Sequence, residues 1–433
     1  MLFPINTCDQ WGAGIDVDQA TVVDQLFEFK VYGDLARCGG GVTVPIKSSM
    51  SGHNNLQTKG AIKMRFTILA SELKRALGIV GRCCPARFVL PILGNVLIDT
   101  DTEGVNGVSF TTTDLAQRIT VRASAITADK YATTVEYKKL AKYVKTLADE
   151  RVDVEYKAGK LQFKCGSTTL RLPTMDATEF PEAPIPGDNP FSISCESFIE
   201  LTRSVVPAAA TDESRPILQS VHFTIEKGVF STQACDGYRL AQLKVPQSDT
   251  DDMDGFDVAN IPAISIDTVQ KTIKALKYNG PIQLRLCKNI HGLEFKLGVE
   301  VTLITQFLEG SYPNVTSIIP QNCPVQVQLD HQKLAVALRQ AMVLDNLIRV
   351  TIKVMSDRVE VHGQSPQQGD FEAIIPATVK GSLLDIAFDP KILAAVLEAL
   401  DEPVVIEFSG PTRPIRINTE HGVYVVMPMM PYK

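Results

Sequence analysis

The sequence predicts an α+β chain of three repeated units, each an antiparallel sheet with two helices packed on one face. Three observations predict it. Segments recur: PILGNVLID at 91–99 resembles PILQSVHFT at 216–224, and each precedes a related pair, TTDLAQRI with Asp114 and ACDGYRLA with Asp236. Every unit contains two strand–helix pairs. Proline-rich stretches, EFPEAPIPGDNP at 179–190 and IIPQNCP at 318–324, separate the units, because proline resists both helix and ladder.

The first unit, residues 64–186, opens with the alternating strand MRFTIL and the amphipathic helix ASELKRALGIVGR. The second, 190–320, opens with FSIS and CESFIELTRSVV. The third, 324–433, opens with VQVQL and DHQKLAVALRQAM, and repeats the element order with weaker identity. A second pair follows in each: YATTV with EYKKLAKYVKTLAD, FDVANIP with SIDTVQKTIKALKYN, and LLDIAFD with PKILAAVLEAL. Short alternating runs such as VDVEYK, LQFKC and TLRLPT complete the sheets. Residues 1–63 do not fit this scheme. They hold the single tryptophan, Trp11, a Gly39-Gly40-Gly41 run and the polar stretch SSMSGHNNLQTKG. They are expected to be disordered or foreign to the repeated fold.

The bulk chemistry excludes several classes. An apolar content of 45% and a charged content of 21% are those of a globular protein. No apolar run is long enough to span a membrane, and the N-terminus lacks a basic region followed by an apolar stretch. The nine cysteines are scattered, without a CxxC pair or a zinc spacing, which predicts reduced thiols in the cytoplasm. No metal, cofactor or catalytic residue is expected. The triple glycine lacks the GK[ST] spacing of a phosphate loop, and neither GxSxG nor HExxH occurs. The six histidines are isolated, and His222, in a strand, reads as a packed or surface residue and not as a catalyst. Asp114 and Asp236 recur in separate units, which favours a turn role over paired-carboxylate chemistry.

The helices carry the informative pattern. In EYKKLAKYVKTL, Leu140, Val144 and Leu147 share one face, while Lys138, Lys142 and Lys145 share another with Lys139 at its edge. In SIDTVQKTIKALKYN, Val269, Ile273 and Leu276 form the stripe to be buried, and Lys271, Lys274 and Lys277 project away from it. The first helix adds Lys74, Arg75 and Arg82, followed by Arg87 in the loop. The net charge is -6, so repeated basic faces imply positive helices on one surface and negative charge elsewhere. Lysine–phosphate contacts ignore base sequence, so a protein using these alone can slide along DNA.

TDESRPILQSVHF, ACDGYRLA, FLEGSYPNVTSIIP and the terminal YVVMPM closely resemble segments of bacterial DNA sliding clamps, the DNA polymerase III subunit beta family. FVLPILGNVLI and TTDLAQRI resemble those of the family's first domain. The resemblance runs from Met64 to the end, with the motifs in the family's order. It implies three clamp domains per chain and two chains closing head to tail into a ring around double-stranded DNA. Helices would line the inside and a continuous sheet the outside. It also implies a processivity factor without a catalytic site. Polymerase subunits, the clamp loader and repair proteins would dock through short linear motifs in a pocket between the second and third domains.

Carried over residue by residue, that pocket comprises Arg215, Leu218, Gly237, Tyr238 and Leu240 from the second unit, then Pro313 and Ile318 from the joint. Ile415, Val425, Met427, Pro428 and Met429 come from the third unit. Two further positions depart from the family: Cys235 where threonine is common, and Ile392 where some members have tyrosine. Pro216-Ile217 replaces an aromatic pair, and Met430, Pro431, Tyr432 and Lys433 extend a chain that often stops in arginine. The DNA-facing set would be Lys74, Arg82, Arg87, Lys138, Lys142, Lys271 and Lys274. At the dimer contact Leu170 would meet Val343 and Leu344 of the second chain.

Two other classes fit the sequence less well. A scaffold binding proteins without DNA would leave the inner lysines without purpose. An enzyme would need an active site of which the sequence shows no trace. Because the repeats start cleanly at Met64, deleting residues 1–63 is predicted to leave folding intact. Thermal unfolding should shift by less than a few degrees, and a larger drop would show that the segment packs on the rest.

Overall fold

The computed structural model describes residues 64–100, 107–226, 229–246, 258–365, 368–400 and 404–430. The extension 1–63 and the terminal Pro431, Tyr432 and Lys433 lie outside these residues. The described part contains two α-helices per unit: α1 (Ala70–Val80) and α2 (Tyr137–Thr146), α3 (Cys195–Arg203) and α4 (Ala263–Leu276), α5 (His331–Ala341) and α6 (Pro390–Glu398).

The helix ends follow local chemistry. Ser194, Asp330 and Asp389 accept hydrogen bonds from the first backbone N–H groups of α3, α5 and α6, and Pro390 occupies the opening turn of α6. Helix α4 starts earlier than the sequence pattern marked and stops where Lys277 turns left-handed, φ 50°. Helix α1 gives way to a 3₁₀ turn at Gly81–Cys83. There Tyr137 of α2 crosses so closely that a Cβ on Gly81 would lie 1.7 Å from its hydroxyl. The Tyr137 hydroxyl donates to the carbonyl of Leu77 at 3.0 Å, which locks the two helices together.

The expected apolar stripes face inward. Leu140, Val144 and Leu147 are buried, as are Val269 and Ile273, with Leu276 half-buried. Most of the buried side chains of all three units form one contiguous cluster between the helices and the strands.

The strands of neighbouring units run on into one another. Every pairing is antiparallel, and the strands assemble into two sheets of 13 and 12 strands that cross the unit boundaries. The second unit is divided between them. Phe191–Ile193, Ile282–Leu286, Gly292–Leu297 and Val301–Gln306 join the first sheet, while Ser220–Glu226, Val229–Cys235, Arg239–Pro246 and Val258–Pro262 join the second. At the first boundary Val301–Gln306 pairs with Gln117–Ser124, Val301 opposite Val121. At the second, Arg239–Pro246 pairs with Gly422–Val426, Arg239 opposite Val426. An unpaired strand edge carries a row of unsatisfied backbone groups, and pairing across the boundary satisfies them where a separate open sheet per unit would not. Side chains reinforce the joints. Arg75 of α1 bridges to Glu300 at 2.8 Å, and the Tyr424 hydroxyl donates to the Ser204 hydroxyl at 2.6 Å in the buried second joint.

Both joints follow one rule. The third strand of one unit's first sheet group pairs with the last strand of the next unit. By pairing order, the unit-three counterpart of Arg239–Pro246 is Gly369–Lys380, and the unit-one counterpart of Val301–Gln306 is Thr168–Asp176. Among the described residues, Thr168–Asp176 pairs on its outer side only through 174–176, and Gly369–Lys380 only through 377–380. The rest of each outer edge has no strand beside it within the chain.

Tyr424→Phe removes the hydroxyl that satisfies buried Ser204. It should destabilise the second joint by about 1–2 kcal/mol, the scale for leaving a buried hydroxyl without its partner. A lowered urea midpoint checks this; an unchanged midpoint would show that the contact carries no stability.

Candidate protein-docking pocket and basic helix face

The second joint holds a small apolar cluster separate from the main core. Leu218, Cys235, Leu240 and Val425 are buried in it, together with Ala210 and Val315. Ile217, Tyr312, Ile319 and Val423 pack at its margin. Four positions expected at the pocket are thus brought together from distant parts of the chain. Around them stand side chains left open: Tyr238 is 62% exposed, Ile318 43% and Met427 40%, with Pro313 and Gly237 also exposed. An apolar floor with a rim of exposed large side chains can accept the apolar side chains of a short segment.

The rim is built by a carboxylate-capped turn. Asp236 accepts hydrogen bonds from the backbone N–H groups of Tyr238 (2.8 Å) and Arg239 (2.9 Å), and its second oxygen pairs with the Arg239 guanidinium at 3.0 Å. The turn needs a left-handed residue, and Gly237 supplies it with φ 92°. Glycine also makes room, since a Cβ there would lie 3.0 Å from the Arg215 guanidinium. Arg215 donates to the Asp236 carbonyl at 3.4 Å, so its charge lies beside the turn. Asp114 builds the matching turn in the first unit, accepting from the Gln117 N–H at 2.6 Å, with Leu115 left-handed at φ 77°. The recurring aspartates are therefore turn builders.

Two expected positions are placed elsewhere. Ile415 lies in the main core, because strand alternation sends it to the face opposite Val425: it stands across from Val426, whereas Val425 faces Arg416. Ile392, on α6, is half-buried against the same core. Pro428 and Met429 are half-buried in the terminal segment. The Met427 N–H donates to the Tyr238 carbonyl at 2.8 Å, and the Met429 N–H to the Ala387 carbonyl at 2.7 Å. The terminal segment is thereby stitched to both the second and the third unit.

Tyr312, at the margin of this cluster, is not among the expected positions, although its SYP motif marks the joint. Its hydroxyl accepts the Cys235 N–H at 3.0 Å and donates to the Cys235 sulfur at 3.6 Å. Burial raises the Cys235 thiol pKa, so the sulfur stays protonated and contributes a small apolar surface. His222 stacks on the Tyr312 ring at 4.7 Å and bonds Asn260 at 2.7 Å, as a packed residue. His362, isolated in the sequence, meets Glu372 across the ladder and Glu360 at 3.3 Å. The Glu360 carboxylate is shared with Arg358 at 2.9 Å, which holds it below its ordinary range.

The expected cations differ in their freedom. Lys138, Lys142, Lys271, Lys274 and Arg87 are exposed, with Lys271 paired to Asp267 at 2.6 Å. Lys138 reaches the Ala86 carbonyl at 3.0 Å, beside Arg87. Lys74 is turned onto the Leu147 carbonyl at the end of α2, at 2.6 Å. Arg82 donates to Thr272 of α4 at 3.2 Å, tying the helix layers of two units together, and burial lowers its pKa. Lys74 and Arg82 thus spend part of their bonding on the helix layer itself. Leu170 is half-buried on the open edge of Thr168–Asp176. Val343 is 79% exposed just after α5, while Leu344 packs on the core.

Shared sheets, basic helices and an apolar cluster with an exposed rim at the second joint define a three-unit scaffold of the clamp type. Residues 64–184, 192–314 and 316–433 match the N-terminal, central and C-terminal domains of the DNA polymerase III beta subunit, in that order. The chain belongs to this family. The beta sliding clamp of Synechococcus elongatus is 28% identical over 376 residues, covering 84% of this chain and 99% of the relative. That of Bacillus subtilis is 26% identical, covering 86% and 100%. Among solved structures, the Bacillus subtilis DNA polymerase sliding clamp superposes with a TM-score of 0.76 at 24% identity, covering 86% of this chain and 100% of that one. The Bartonella birtlesii clamp bound to griselimycin gives 0.78 at 24%, with the same coverage.

Proposed function

We propose that this chain is a DNA sliding clamp, a processivity subunit that encircles duplex DNA as a homodimer and does no chemistry of its own. Its domains run 64–186, 190–320 and 324–433. The observation that carries the reading is the edge rule of the two joints. Applied once more, it pairs the open edge of Gly369–Lys380 in one chain with that of Thr168–Asp176 in another. Repeated by two-fold symmetry, that pairing closes two chains head to tail. Leu170 lies on one edge, and exposed Val343 and Ile374 lie on or near the other.

Inside such a ring the exposed lysines of α2 and α4 meet phosphates without reading bases. Lys74, Arg82 and Arg87 complete that surface. Contacts of this kind weaken steeply with salt, so enclosure and not affinity retains the DNA. Polymerase subunits, the clamp loader and repair proteins take turns at the second joint. Leu218, Cys235, Leu240 and Val425 form the floor there; Arg215, Gly237, Tyr238, Pro313, Ile318, Met427, Pro428 and Met429 form the rim. Flexible methionine side chains suit a surface that must fit several partners. The seven described cysteines are unbridged, which fits work in the reducing cytoplasm. No helix among the described residues is long and apolar enough to cross a membrane.

Protein loaded on a nicked circular duplex should survive a wash in moderate salt and escape when the circle is cut. Equal loss from circular and linear DNA would exclude enclosure.

A further inference from the structure

We propose that the groove at the joint of the first and second units is a second docking site, one that takes the carboxylate end of a peptide. The groove is the internal repeat of the pocket at the second joint. Asp114 and Leu115 stand where Asp236 and Gly237 stand there, each pair forming a capped turn with a left-handed residue. Leu93 packs against Phe180 as Leu218 packs beside Tyr312. One position changes the chemistry. Leu240, wholly buried at the second joint, is replaced at the first by Arg118.

Arg118 lines a cavity of about 240 Å³ with Leu115, Asn289, Ile304 and Gln306. Its guanidinium donates to the Pro181 carbonyl at 2.6 Å and lies 5.3 Å over the Phe180 ring. Among the described residues it forms no ion pair. Burial pushes its pKa down to about 10, and no carboxylate offsets the lost hydration. A charge so placed gains from an anion that enters the cavity, and a planar guanidinium with free N–H groups fits a carboxylate in a two-point bond. Leu115, 50% exposed at the rim, and buried Ile304 offer apolar contact to the residues preceding that carboxylate.

DNA phosphate is disfavoured as the occupant. Arg118 sits on the strand Gln117–Ser124 and not on the basic helices. The site does not depend on the clamp reading, since it rests on the cavity and its unpaired cation.

Fluorescein-labelled Ala-Leu-Phe with a free C-terminal carboxylate, and the same peptide as its amide, are titrated into the full chain by fluorescence polarisation. The acid should bind at least about tenfold more tightly than the amide, the scale of a hydrogen-bonded charge pair. R118Q should erase that difference and R118K should keep part of it. Equal binding of acid and amide by the unaltered protein would overturn the proposal, and so would an acid preference that survives in R118Q. Displacement of the acid by a short duplex DNA would also overturn it, by making phosphate the natural occupant. If R118Q fails to fold, the comparison of acid with amide on the unaltered chain still decides.

Discussion

Backbone hydrogen bonding at strand edges is the constraint on which this structure depends. A unit of this size exposes two sheet edges, and each is a row of N–H and C=O groups in search of partners. Here the edges are used to join units. Gln117–Ser124 takes Val301–Gln306, and Arg239–Pro246 takes Gly422–Val426. The proline-rich joints then have only to carry the chain from one unit to the next, because the ladders fix the geometry. Gly422 shows how close the approach is: a Cβ there would lie 2.4 Å from the Gln242 carbonyl oxygen. The pocket follows from the same ladder. Leu240 and Val425 are register partners across the second joint, so strand pairing itself lays its apolar floor.

The two joints are built alike and have diverged in chemistry. Both carry an aspartate-capped turn, a left-handed residue and an aromatic residue before proline. Glycine at 237 leaves space for Arg215, whereas leucine at 115 fills the rim. Leucine at 240 makes an apolar floor, whereas arginine at 118 makes a cationic one. A repeat architecture can thus hold two docking sites of different preference on one scaffold, with the ladders conserved and the loops and floor varied.

Much of the fold was legible because its signals are local. The 3.6-residue stripes of α2 and α4 and the alternating strands each depend on near neighbours in sequence. The division of the second unit between two sheets was not legible, since strand pairing across joints leaves no periodic mark. The site divides in the same way. The family resemblance pointed to Arg215, Leu218, Gly237 and Leu240, but the face of Ile415 is set by its register with Val426, which sequence does not show. The role of Tyr312 emerges only when the joint folds its hydroxyl onto Cys235. Arg118 sits inside TTDLAQRI, where its burial could not be foreseen.

The central claim is that the edges left open at Thr168–Asp176 and Gly369–Lys380 find each other in a second copy. Native mass in solution tests it most directly. At micromolar concentration light scattering should give the mass of two chains. Placing proline at Leu170 on the open edge should shift the particle toward one chain, because proline bulk and its missing N–H spoil the new ladder. A particle of one chain's mass at that concentration, with residues 64–433 folded, would contradict the account.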